Sequence, residues 1–241
     1  MLAKQRQGPA SPNGCQVGKG GLMSADYHDY FIKDGRHLGL YEEMYQNCDD
    51  PWHIEELGLR LDMRAALLLL SGRCRPVNRF LDVGCGLGLF TGLVSEAIWR
   101  ENPKAHGLIT DISSTAVEKA EKRLADHRLT FLPLDIRNLA AKPVLPAKNF
   151  DLIVLAQVLW GMLENLDRTL AGLTALLTEG GLLLITQHFP GQGGQTYGAD
   201  IISSPEDLSR HLKAAGLQAL DTLETNRPVN HHWAALWRKC P

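Results

Sequence analysis

From residue 59 onward, short apolar runs alternate with segments whose apolar positions recur every three or four residues. The first pattern predicts strands and the second amphipathic helices. Strands are predicted at Arg79–Val83, Gly107–Asp111, Leu129–Leu132, Phe150–Leu155 and Leu182–Thr186. Helices are predicted from Leu59 to about Ser71, from Leu89 to about Arg100, over Ala116–Ala125 and over Leu166–Leu177. The run Phe150-Asp-Leu-Ile-Val-Leu155 has almost no polar alternation, as expected of a parallel strand covered on both faces. Local signals mark the helix ends. Ser113-Ser-Thr115 is an N-cap cluster, and Glu179-Gly-Gly181 places Gly180 where a left-handed C-cap is expected. Ser204-Pro-Glu-Asp207 combines an N-cap, a proline at the first helical position and early acids, and that helix should stop at Gly216. The last two apolar segments, near Ala219–Thr225 and Trp233–Arg238, are expected to pair antiparallel at a sheet edge. Strand–helix alternation of this kind builds a doubly wound α/β sheet with right-handed crossovers.

The chain before residue 59 is different. Residues 1–25 are rich in Gly, Gln, Ser and Lys without apolar period, and are expected to form a disordered tail, with Met23 as an alternative start. Residues 26–57 carry Tyr27, Tyr30, Phe31, Tyr41, Tyr45 and Trp52, and are expected to cap the main domain, which extends to residue 241. Cys48-Asp-Asp-Pro-Trp52 is a turn signal that separates this cap from the next helix.

Composition narrows the function classes. With 241 residues, 44% hydrophobic and 22% charged, the chain suits one α/β domain. A formal net charge of −2 gives no electrostatic footprint for nucleic acid or a membrane surface as partner. The basic stretch Arg73–Arg79 reads as a solvated loop. Five irregularly spaced cysteines with no CxxC pair argue against a disulfide framework and a zinc site, so no metal is expected and a reducing cytoplasm is. Residues 1–9 have no apolar leader, and the longest apolar run, Ala65–Leu70, is too short to span a bilayer.

The densest chemistry lies in Phe80-Leu-Asp-Val-Gly-Cys-Gly-Leu-Gly-Leu-Phe-Thr91. Glycines at 84, 86 and 88, around Cys85, let the backbone turn sharply at the end of the first strand and approach a ligand closely. Leu89 stands where a dinucleotide fingerprint needs its third glycine, and no Gly-Lys-Ser/Thr follows, which excludes a P-loop. Asp82, two residues before the first glycine, would repel a pyrophosphate but suits a ligand carrying an ammonium and a sulfonium. Asp111, with Ile112 beside it, ends the second strand; it either accepts hydrogen bonds from ribose hydroxyls or only caps the next helix. Asp135-Ile136 follows the third strand, as an adenine contact with Ile136 against the ring or as a solvated loop acid. Ala156-Gln157 follows the fourth strand, where Gln157 would line the pocket.

Phe80–Thr91, Asp111, Asp135-Ile136, Phe150–Gln157 and Glu179–Thr186 occur in the order of the motifs of class I S-adenosylmethionine-dependent methyltransferases, which the chain resembles over about 110 residues. The resemblance implies a Rossmann-like seven-stranded sheet with an antiparallel last strand, and S-adenosyl-L-methionine as cofactor. The gap between Gly88 and Asp111 is longer than the family's usual one. Asp49-Asp-Pro-Trp-His53 further resembles the branch containing the nodulation-factor N-methyltransferases, which act on an amino sugar. The expected reaction is methyl transfer to nitrogen or oxygen of a small-molecule acceptor. Such a displacement needs mainly alignment and water exclusion, and needs a base only if the acceptor arrives protonated. His188, directly after the fifth strand, is placed either as that base or as a loop hydrogen-bonder; His231 and His232 precede the last strand. Tyr30, Tyr41, Tyr45, Trp52 and Trp160 are candidates for an aromatic wall, with Trp52 facing the cofactor. Pro190–Gly198 reads as a lid loop. The rival functions are a nicotinamide oxidoreductase and a non-catalytic S-adenosylmethionine-binding protein. A nucleic-acid methyltransferase is disfavoured by the charge and by Ala156-Gln-Val-Leu159, which lacks the Asn/Asp-Pro-Pro-aromatic tetrapeptide.

Overall fold

A computed structural model describes residues 27–58, 60–71, 76–138, 145, 148–190, 197–226 and 230–241. Residues 1–26, and 191–196 of the lid loop, lie outside it. The cap contains a short hairpin of β1 (Ile32–Lys33) and β2 (Arg36–His37), followed by α1 (Tyr41–Asn47) and α2 (Ile54–Leu57). The main domain begins with α3 (Leu61–Leu70) and alternates through β3 (Arg79–Val83), α4 (Leu89–Glu101), β4 (His106–Asp111), α5 (Ser114–Leu124), β5 (Leu129–Pro133) and β6 (Phe150–Ala156). It ends with α6 (Leu166–Leu176), β7 (Leu177–Pro190), α7 (Pro205–Ala214), β8 (Leu217–Asn226) and β9 (Asn230–Lys239).

Seven strands form one sheet in the order β5-β4-β3-β6-β7-β9-β8. β9 is antiparallel to both β7 and β8, so it alone runs against the rest, as the resemblance implied. The chain moves outward from β3 through β4 and β5, then returns to β6 on the other side of β3. This reversal opens a crevice beyond the carboxyl ends of β3 and β6, where ligands of doubly wound sheets bind.

The unbroken apolar character of β6 follows from its two covered faces. Leu152 and Val154 pack with Met63, Ala66 and Leu69 of α3 and with Phe90, Val94 and Ile98 of α4. Ile153 and Leu155 point the other way, against Leu166, Leu170 and Leu173 of α6 and Leu208 and Leu212 of α7. Two expected caps form: Ser113 Oγ accepts from Ala116 N–H at 3.1 Å, and Ser204 Oγ from Asp207 N–H at 3.2 Å. One differs. α6 already ends at Leu176, and Gly180, with φ +71°, lies inside β7. The ladder jumps there from Phe150↔Leu177 to Leu152↔Leu182, so the left-handed residue accommodates a bulge rather than a helix end.

Candidate functional site

The loop Gly84–Gly88 leaves β3 at the switch point and turns into α4. Gly84 N–H and Cys85 N–H both donate to Thr110 O, at 2.7 and 3.0 Å, which ties the loop to β4. Gly84, Gly86 and Gly88 have φ of +74°, +53° and +79°, values that L side chains seldom adopt. A Cβ on Gly84 would sit 2.3 Å from Val158 Cγ1, and one on Gly86 would sit 2.9 Å from the Tyr45 hydroxyl. At both positions a neighbouring side chain leaves no room for a Cβ.

Asp111 closes the crevice from β4. Its side chain is buried, Oδ2 accepts from Gly86 N–H at 2.9 Å, and Oδ1 accepts from Ser113 N–H at 3.0 Å. Burial raises its carboxyl above the ordinary value, and the amide hydrogen bonds from Ser113, Gly86 and Ile112 pull against that rise. These three amide donors still leave lone-pair capacity on a carboxylate that has about four acceptor positions. Ile112 exposes an apolar side chain next to it. Asp82 is turned under the loop, where Thr91 Oγ1–H donates to its Oδ2 at 2.5 Å. Burial pushes the Asp82 carboxyl up to about 6. It braces the first turn of α4. Burial, then the nearby Asp111 and Asp82 carboxylates, push the Cys85 thiol up.

Asp135 directs both oxygens at Arg137, at 2.8 Å from Nε and 2.8 Å from Nη2. Burial alone would raise its carboxyl, but the Arg137 hydrogen bonds hold it below the ordinary range. Ile136 is buried in the core beside α6. Arg137 also donates Nη1–H to Gly161 O at 3.2 Å, which ties this turn to the segment after β6.

The cap lies over the loop. Tyr30, Tyr41, Tyr45 and Trp52 gather around Met44, Leu87 and Ala116, whereas Trp160 belongs to the main core. Trp52 Nε1–H donates to the Tyr45 hydroxyl at 2.8 Å, so Trp52 acts on the glycine loop through Tyr45. Glu42 fastens α1 to the N-terminus of α5. It accepts from Ser113 Oγ at 2.7 Å, Ser114 Oγ at 3.1 Å, and Thr115 Oγ1 and N at 2.6 and 3.3 Å. Burial would raise its carboxyl, but these four donors hold it at about 2. Lys119 Nζ donates to Tyr45 O at 2.7 Å, which fixes the other end of α1. At the mouth, Tyr41 OH lies 2.9 Å from His37 Nε2, and Tyr197 stacks on His37 with ring centroids 5.3 Å apart.

A second polar cluster stands at the ends of β6, β7 and β9. Gln157, with φ +61°, donates Nε2–H to Asp62 Oδ2 at 2.6 Å and accepts His188 N–H on Oε1 at 3.1 Å. His188 is opposite His232 in the β7–β9 ladder. His231 instead sits 3.3 Å from Glu224 on β8. Gln157 and His188 were singled out in the sequence as candidates, whereas Asp62, Arg60 and Glu42 were not. Asp62 was detectable, since it shares the apolar helical face of Ala66 and Leu69 at i, i+4, i+7. Glu42 carried no such signal, because its partners are more than seventy residues away. Among the described residues, no helix is long and apolar enough to cross a membrane, and no group of three or more His, Cys, Asp or Glu is placed to hold a metal.

Residues 81–183 match the family described as a methyltransferase domain. Over those residues the chain is similar to methyltransferase domains, and its seven-stranded sheet is of the Rossmann-like kind. Fumosorinone synthetase of Cordyceps fumosorosea is 33% identical over 151 residues, 59% of this chain and 4% of the synthetase. Nodulation protein S of Rhizobium tropici is 26% identical over 140 residues, 57% of this chain and 54% of that protein. The chain thus spans about half of the latter and a small fraction of the former. Among solved structures, the N-methyltransferase NodS of Bradyrhizobium japonicum WM9 in complex with S-adenosyl-L-homocysteine superimposes with a TM-score of 0.63 at 20% identity, covering 83% of this chain and 96% of that one. The [4+2]-cyclase SpnF superimposes with a TM-score of 0.56 at 21% identity, covering 74% and 80%.

Proposed function

We propose that the chain is an S-adenosylmethionine-dependent methyltransferase acting on a nitrogen or oxygen atom of a small molecule. The observation that carries this reading is the buried Asp111 carboxylate at the end of β4, hydrogen-bonded to Gly86 in a Gly-x-Gly-x-Gly loop at the switch point. In this reading Asp111 holds the ribose hydroxyls with the lone-pair capacity its amide bonds do not use. Gly84, Gly86 and Gly88 admit the ligand where side chains would collide, and Cys85 keeps the loop uncharged. Ile112 covers the adenine, with Asp135 and Ile136 shaping the far side, and Gln157 lines the reacting end. Asp82 and Trp52 act one step back, bracing α4 and Tyr45. The bound cofactor would supply an electrophilic methyl group on a sulfonium. The protein aligns the acceptor with it, excludes water beneath the cap, and removes a proton at the His188 end of the crevice.

The amino-sugar acceptor suggested by Asp49-Asp-Pro-Trp-His53 gains support from the likeness to NodS, named an N-methyltransferase. A second reading is favoured by SpnF, in which the same fold belongs to a protein named a cyclase: this chain would bind the cofactor without transferring its methyl group. Calorimetry with S-adenosylhomocysteine and with NAD, followed by label transfer from methyl-labelled S-adenosylmethionine to an amine, amino-sugar and phenol panel, separates the readings. Micromolar S-adenosylhomocysteine binding, roughly −8 kcal/mol, is expected. Binding of NAD alone sinks the proposal, and tight cofactor binding with no labelled product favours the second reading.

A further inference from the structure

We propose that Asp62 and His232 form the proton-accepting pair of the acceptor site, and that the acceptor is a nitrogen or oxygen that still carries a proton when it binds. This rests on the methyl-transfer reading above and adds to it the base and the acceptor class. Asp62 lies in the first turn of α3 with a fully buried side chain. An isolated carboxylate buried there would cost several kcal/mol, so it has to be paired. Its partners converge from separate parts of the chain: Gln157 Nε2 at 2.6 Å from the end of β6, His232 Nδ1 at 3.1 Å from β9, and Arg60 Nε at 3.3 Å from just before α3. None of these bonds is needed to form α3; Gln157 and His232 stand at the end of the sheet that carries the carboxyl ends of β6 and β7, and Asp62 and Arg60 reach it from α3.

A carboxylate beside Nδ1 selects the tautomer with hydrogen on Nδ1 and the lone pair on Nε2, and it stabilises the imidazolium formed when Nε2 takes a proton. Exposure grades in the useful direction, from 0% for the Asp62 side chain to 18% for that of His232. The base can meet a ligand while its anchor stays dry. Gln157 is held in a left-handed conformation, with N–H donated to Thr186 O at 3.1 Å. Such strain in a residue with a Cβ, of order 1–3 kcal/mol, is kept where surrounding structure demands it. Here it aims one amide at both Asp62 and the His188 backbone. Among the described residues, Asp62 from α3 and His188 from β7, with ring centroids 5.3 Å apart, face His232, and Arg60 reaches Asp62 itself; on β8 the opposite residue is Thr225, which does not titrate.

In the inferred step the acceptor's lone pair bonds to the methyl carbon, and the carbon–sulfur bond breaks with its electron pair left on sulfur. The acceptor's proton moves to Nε2 of His232, and Asp62 stabilises the resulting charge. His232 is then the catalytic residue and Asp62 a positioning residue. An acceptor that arrives already deprotonated would need neither.

Two measurements test this. In the first, ¹⁵N-histidine-labelled protein without cofactor is examined by two-bond ¹H–¹⁵N correlation at neutral pH, with His232 identified by its loss in His232→Gln. The expected pattern is protonated Nδ1 and bare Nε2, and the opposite tautomer overturns the pair. The second uses methyl-labelled S-adenosylmethionine with glucosamine, ethanolamine and catechol as acceptors. With the best of these, His232→Gln is expected to lower kcat by about 10²–10⁴-fold. Asp62→Asn is expected to lower it by about 10²-fold, and Asp62→Glu to recover part of that loss. S-adenosylhomocysteine affinity should stay within twofold in all three variants. Near-normal kcat in His232→Gln, with the loss falling on His188→Gln instead, overturns the assignment. A wild-type protein that binds S-adenosylhomocysteine but labels none of the three overturns the acceptor class. Failure to bind S-adenosylhomocysteine at all would count against the methyl-transfer reading, with the tautomer still deciding the pair.

Discussion

Replacing Asp111 separates its two tasks. In Asp111→Ala, the buried amides of Gly86 and Ser113 lose acceptors now 2.9 and 3.0 Å away. Each buried donor left unpaired costs about 1–3 kcal/mol. Removing a carboxyl that burial already penalises returns part of this. A net loss of about 2–4 kcal/mol is therefore expected, lowering the melting temperature by roughly 4–16 °C for a domain of this size. Asp111→Asn keeps one carbonyl oxygen and should lose less stability. Both variants should bind S-adenosylhomocysteine weakly, because ribose hydrogen bonds to a charged acceptor contribute about 1.5–3 kcal/mol. That corresponds to roughly a tenfold to a hundredfold rise in Kd. Calorimetry on the folded fraction, alongside thermal melts, reads the two effects independently. If Asp111→Asn lost stability yet bound S-adenosylhomocysteine as tightly as the wild type, Asp111 would be a cap for α5 and nothing more.

Gly86→Ala places a Cβ 2.9 Å from the Tyr45 hydroxyl at φ +53°, so it should cost about 1–2 kcal/mol and displace Tyr45; unchanged cofactor affinity would contradict the narrow cradle. Glu42→Ala removes the carboxylate that accepts from Ser113, Ser114 and Thr115, with a cost of about 1–2 kcal/mol by analogy with helix caps. Amide exchange across Tyr41–Asn47 should speed up, and equal exchange in the variant would show that α1 is held by its aromatic contacts alone. Since the Glu42 carboxyl is held at about 2, below its ordinary 4.5, its contribution is present above that ordinary value and is lost as pH falls toward 2. Asp82 has the opposite sign: its folded value, about 6, lies above the ordinary 3.8, so ionisation penalises the fold as pH rises through that window. Asp82→Asn should gain about 2 kcal/mol on the wild type between pH 4.5 and pH 7.5, measured by denaturant unfolding; a constant difference would mean the carboxyl is not titrating there.

The sequence by itself determined the architecture and the glycine-rich loop after β3. A short apolar run with almost no polar alternation suits a strand covered on both faces, and Phe150–Leu155 is one, with Leu152 and Ile153 buried in opposite layers. Ser113 and Ser204 were legible as caps because an N-cap is a local device, satisfied within three residues. Gly84, Gly86 and Gly88 were legible because each needs a backbone conformation that side chains resist. Gly180 was legible as a left-handed residue but not as a bulge, since whether it ends a helix or bends a strand depends on Phe150 across the ladder. Long-range polar pairing was not legible. Glu42 meets Thr115, and Asp62 meets Gln157 and His232, across 73, 95 and 170 residues. Such contacts leave no periodicity in the chain, because an acid facing solvent and an acid awaiting a distant histidine look alike until the sheet brings the two together. The tertiary structure alone turned His188 from a solitary candidate into one member of a cluster anchored on a buried carboxylate.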